Sequence, residues 1–136
     1  MITNDQIQSA LVTYTKSRAN ITSALGNSVE IREDQWQGQD FSYPNIRIRI
    51  ISNASLGNTK ECHLANVRVS WMVFSESPNS KEADKIAGVI YNEFYGKQFR
   101  YDGILFYCQG LDLIPAMRID ERTWRSEAIF EVTVNM

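Results

Sequence analysis

A chain of 136 residues fits one domain and can bury roughly two-thirds of its unfolded surface, so it needs no metal or disulfide staple to fold. Its 14 Lys and Arg against 16 Asp and Glu leave a formal charge of −2, without the basic excess of a dedicated nucleic-acid binder. Two cysteines, Cys62 and Cys108, are too few for a disulfide framework and lack metal-ligand spacing, so both are expected as buried, reduced thiols.

The first element is a helix. Thr3 and Gln6 have the spacing of a capping box, and Ile7, Leu11, Tyr14, Ile21 and Leu25 follow at about helical intervals until Gly26-Asn27 stops them. One amphipathic helix from Thr3 to Gly26 is predicted. Val29 and Ile31 then share a face of a short strand, and the polar stretch from Glu33 to Tyr43, with Trp36, Gly38 and Phe41 ahead of Pro44, reads as an extended hairpin loop. In Ile46-Arg47-Ile48-Arg49-Ile50 three isoleucines point one way and two arginines the other. A slip of one residue would bury the arginines, so the register is well specified.

An Asn-, Ser- and Gly-rich turn region runs from Ser52 to Lys60. The longest strand is expected next, with Val67, Val69, Trp71 and Val73 on one face and Arg68, Ser70, Met72 and Phe74 on the other. Apolar residues on both faces place it centrally, with Met72 and Phe74 covered by a helix or a partner. Ser77-Pro78 has helix-opening chemistry, and Ala83, Ile86, Ala87, Ile90 and Phe94 form one stripe ending at Gly96. Tyr101-Asp102-Gly103-Ile104 is a tight hairpin turn, because Asp-Gly tolerates positive φ. A strand from Ile104 to Gln109 follows, and beyond Leu113-Ile114-Pro115 a charged connection passes Arg118, Asp120, Glu121 and Arg122 into a last strand from Trp124 to Val134. The expected fold is a single α+β domain over residues 1–136, with a mixed or mainly antiparallel sheet of about 4–6 strands and two helices packed on one face.

Catalytic chemistry has little to stand on. His63 is the only histidine, which excludes a multi-histidine metal site, and its neighbour Cys62 faces the other side of a strand. No local arrangement pairs either cysteine with that histidine as a nucleophile, and no glycine-rich phosphate loop occurs. Glu33-Asp34 and Asp120-Glu121 sit in solvated contexts. No catalytic, metal or cofactor-binding residue is therefore assigned, and the expectation is that the protein is not an enzyme.

Two clusters remain. Arg47, Arg49 and Arg68 lie on adjacent strands and either pair with acids such as Glu30 or Glu131 or form a protein-interface patch; an RNA-binding sheet is a more distant third. Trp36 and Phe41, with Tyr43 beside them, are large aromatics in a polar loop and are read as anchors for a partner.

The amphipathic first helix, the extended loop at Tyr43-Pro44, the long strand, the helix opened by Ser77-Pro78-Asn79-Ser80 with Ala83 and Ile86 to Ile90, and the terminal strand from Trp124-Arg125-Ser126 to Val134 together resemble the tail terminator, or tail completion, proteins of long-tailed bacteriophages. That resemblance implies a structural virion protein without cofactor or metal. Its subunits form a ring, usually hexameric and in some cases only when assembled, that caps the tail tube, stops its polymerisation and offers a docking face to the head. The implied partners are other copies of the chain, the tail tube protein and a head–tail connector or neck protein, with no membrane and no specific nucleic acid. The implied location is the head-proximal end of the tail, assembled in the host cytoplasm. Neck and head-closure proteins share this general design, and a small α+β enzyme or ligand-binding domain with its pocket between sheet and helix is the rival from another class.

Overall fold

Period-two alternation in the strands and an apolar stripe on each long helix determine the architecture. The computed structural model describes residues 2–26, 30–33, 42–58 and 63–135. Its elements are α1 (Asn4–Ser17), α2 (Ala19–Leu25), β1 (Ile31–Glu33), β2 (Asn45–Asn58), β3 (His63–Ser75), α3 (Lys81–Phe94), β4 (Gln98–Tyr101), β5 (Ile104–Arg118) and β6 (Trp124–Asn135). The strands form one mixed sheet in the order β1-β2-β3-β6-β5-β4. Only β1–β2 is parallel; the other pairs are antiparallel.

The alternation read from the sequence fixes which side is buried. Ile48, Trp71 and Ala128 form one rung, and Val69 and Phe130 the next, all fully buried. Trp71 links both long helices to the sheet. Its indole N–H donates to Thr15 Oγ1 on α1 at 3.1 Å, and its ring lies 4.8 Å from Phe94 of α3 and 5.3 Å from Phe130. Thr15 Oγ1 in turn donates to the Leu11 carbonyl at 2.6 Å, so the buried hydroxyl is satisfied twice. Burying a ring of this size contributes about 2–3 kcal/mol by area alone.

Several expectations are corrected. The single first helix is two, because Arg18 adopts φ −86°, ψ 111° and breaks the ladder. The break turns α2 onto α3, where Arg18 Nε donates to Glu93 Oε1 at 2.7 Å, so three helices stand where two were expected. At the N-terminus the Thr3 amide donates to Gln6 Oε1 at 2.9 Å, as the capping spacing predicts. Residues 34–41, most of the stretch expected as an extended hairpin loop, lie outside the described residues; the strands that flank it, β1 and β2, pair in parallel, whereas a hairpin would join antiparallel strands. The third helix starts at Lys81, not at Ser77-Pro78; Asn79 Oδ1 accepts the Lys81 amide, and Ser75 Oγ accepts the Ser77 amide while donating to Glu82.

β4 was missed by the sequence reading. It pairs with the start of β5 across the predicted Asp-Gly turn, whose Asp102 and Gly103 both have positive φ (51° and 77°). Strand β5 also continues through Pro115 to Arg118, which makes it, rather than β3, the longest strand. β3 is third of six, as its two apolar faces predict.

Candidate functional site

The sheet face turned away from Trp71 carries the three arginines predicted to meet partners. Arg47 pairs in register with Met72, Arg49 with Ser70, and Arg68 with Glu131, so the three arginines do share one face. They differ in access. Arg49 and Arg68 are exposed, whereas Arg47 is 7% exposed and offers little surface. Acids interleave with them: Glu131 stands opposite Arg68 and accepts a hydrogen bond from Asn66, and Glu127 accepts from Ser70 at 3.3 Å and lies 3.4 Å from Arg125. The face is therefore charge-mixed, a pattern suited to protein contacts and poorly suited to a phosphate backbone. Tyr43 is exposed at the cis Tyr43–Pro44 peptide. Trp36 and Phe41 lie outside the described residues.

Other candidate groups resolve into structural roles. Asp120 accepts the amides of Arg122 and Thr123 at 2.8 and 2.9 Å, which makes it the turn-former between β5 and β6. Those bonds hold its carboxyl below the ordinary range. Cys108 is buried, and desolvation pushes its thiol up to about 12, so it is no nucleophile at neutral pH. Cys62 lies outside the described residues. Among the described residues no group of three His, Cys, Asp or Glu converges as a metal site would require. An open groove of about 360 Å³ runs between α1 and β1, lined by Val12 and Ile31 and by Asp5, Lys16, Arg32 and Glu33.

A second surface, not among the residues expected to meet partners, is the outer edge of β5. Strand β4 covers only residues 104–107 of β5, and one further bond, from the Cys108 amide to the Lys97 carbonyl at 2.8 Å, ends the pairing there. Beyond it, among the described residues, β5 has β6 on one side and no strand on the other. Along this open stretch Leu111, Leu113 and Met117 are exposed, and Tyr95 of the α3 C-cap, 65% exposed, leans over it. Gly110 makes that arrangement possible. A Cβ there would sit 2.5 Å from Tyr91 Oη and 2.7 Å from the Tyr95 ring. The Leu111-Asp112-Leu113 alternation is the available signal, interrupted by Gly110 and followed by Pro115, both of which weaken a strand pattern.

No family model matches the sequence, and no curated protein matches it either. Among solved structures, the chain is similar to a chain from a virion of a native gene transfer agent particle. The TM-score is 0.71 and the identity 13%, over 96% of this chain and 95% of that one. At that identity the likeness establishes a shared fold over nearly the whole length.

Proposed function

We propose that this protein is a structural subunit of a phage-like virion and acts as a tail terminator. In this reading copies of the chain form a ring, hexameric by the family resemblance, that caps the tail tube, stops its polymerisation and presents a docking face to the head or neck. The observation that carries the reading is the end-to-end fold likeness to a chain of a gene transfer agent virion, with neither chain extending far beyond the match. The exposed arginines Arg49 and Arg68, the exposed Tyr43 and the apolar outer edge of β5 support it, because each is suited to contact with protein and none converges on a reaction centre. Buried Arg47 would act by holding the face together, and Trp36 and Phe41 would anchor a neighbour or the tube. On this reading no cofactor, metal, membrane or specific nucleic acid takes part.

The test is purified protein mixed with polymerising tail tubes of its own phage, viewed by electron microscopy. Ring-shaped density at one tube end and a fixed tube length are expected; a protein that never decorates tube ends overturns the tail terminator role. A neck or head-closure subunit is the second reading, since a virion neighbour supports it equally, and decoration of heads in place of tubes would select it.

A further inference from the structure

Among the described residues the sheet has two margins without an outer strand. On one side β1 covers only Ile46 to Ile48 of β2, so residues 49–58 have no outer strand among the described residues. On the other side β5 is open beyond residue 108. Both stretches carry aliphatic side chains in solvent, Ile51 and Leu56 (56% exposed) on β2 and Leu111 and Leu113 on β5. A long exposed apolar edge is a template for another strand.

We propose that the open edge of β5 pairs with the open edge of β2 from a second copy of this chain, so that successive copies continue one sheet. The proposal rests on the ring reading and specifies the contact that would make the ring. Strand directions favour it. Each step from β2 through β3 and β6 to β5 is antiparallel, so β2 and β5 run oppositely, and an incoming copy in the same orientation presents β2 antiparallel to β5. The contact joins two different patches, which is the kind of contact that repeats into rings.

The offset between the two edges fits as well. Leu113, midway along the open part of β5, is level with Ala128, Trp71 and Ile48. Asn53, midway along the open part of β2, is level with Val67, four rungs further along β3 because Ile51 is bulged out of the ladder, roughly 13 Å at the usual strand rise. Four strand spacings separate one β2 from the next, about 19 Å. The resulting inclination, about 35°, lies at the lower end of the 35–45° range by which strands tilt when a sheet closes on itself. At this offset the short margin strands clear one another. β4 begins level with Ala54 and so lies just past the end of the incoming β2, while the incoming β1 reaches only the level of Arg118, past the paired residues 109–114. Pro115 offers no amide and Asp84 Oδ1 holds the Ala116 amide at 2.7 Å, which closes the lower end of the edge and concentrates pairing on residues 109–114.

Asn53 and Leu113 lie on the same sheet face, in rungs with Val67 and Ala128, so cysteines at the two positions test the contact directly. Leu113→Cys and Asn53→Cys are made separately in a Cys62→Ser background, mixed at high concentration and oxidised, with circular dichroism confirming the fold of each. A disulfide-linked dimer should form in the mixture and in neither variant alone. Should a cysteine variant fail to fold, Leu113→Asp and Leu56→Asp take its place. Each should weaken self-association measured by light scattering, and the double variant no more than the stronger single one. Cross-linking of Leu113→Cys with itself, or self-association that neither edge changes, overturns the edge contact and leaves the ring reading standing. Failure of the ring reading would show instead as bare tube ends in micrographs of the unmodified protein.

Discussion

The centre of the sheet and its margins are built from similar residues and behave differently. β3 and β6 pair over 12 consecutive rungs without a bulge, whereas the β2–β3 and β5–β6 ladders each shift register twice, and the outermost strands are three and four residues long. Aliphatic and aromatic side chains at the centre are buried under the helices; at the margins Leu56, Leu111, Leu113 and Tyr95 stand in water. The continuous ladder supports the fold, and the interrupted ones leave surface for association.

Truncating Trp71 to Ala should break the centre most severely. It removes the residue that ties α1 and α3 to the sheet and should cost about 3–5 kcal/mol in chemical denaturation. Gly110→Ala probes the boundary between the regions. The added Cβ must displace Tyr91 and Tyr95, a crowding expected to cost about 1–3 kcal/mol and to alter near-ultraviolet circular dichroism through the tyrosines.

Smaller still is the Arg18–Glu93 bridge between α2 and α3. Arg18 is about one-third exposed, so Arg18→Ala should cost only about 1 kcal/mol. Burial alone would raise the Glu93 carboxyl, but hydrogen bonds from Arg18 and Asn20 and the charges of Arg18 and Lys97 outweigh it and hold the group below its ordinary value of 4.5. A carboxyl depressed by folding contributes stability above its unfolded pKa and loses it as pH falls through the folded one. Stability should therefore fall off below about pH 4.5 in the unmodified protein, and less so in Glu93→Gln. At the far end of the scale, Leu113→Ser, Trp36→Ala and Phe41→Ala should change unfolding free energy by about 0.5 kcal/mol or less while yielding overlong or headless tails. Normal tails, or unfolding, in these variants would return the residues to a structural role.

The elements legible in the sequence were those whose period is undisturbed. The isoleucines of β2, the two faces of β3 and β6, the stripe of α3 and the Asp-Gly turn each appear where the spacing puts them. What failed were decisions made by tertiary contact. Nothing in Ser17-Arg18-Ala19 forbids helix; the break accompanies the packing of α2 on α3, where Ile21 and Leu25 are buried and Arg18 meets Glu93, 75 positions away. β4 is four residues with one buried side chain, Phe99, too short for periodicity to register. The strand expected from Ile104 to Gln109 stops short of Gly110 and Pro115, yet β5 runs on to Arg118, because proline is tolerated where a strand has no outer neighbour to receive its amide. The same open edge thus hid the length of β5 and became the candidate surface.

Cys108 has a use that follows from its burial. It lies on β5 where the last bond to the β4 side is made, level with Val132. Because the thiolate is the reactive form and burial suppresses it, an alkylating reagent can modify this sulfur only when the strand lifts away from the helices. In a Cys62→Ser background the labelling rate of one native atom therefore counts how often that margin opens. Comparing the rate with and without tail tubes would report on subunit docking without any attached probe.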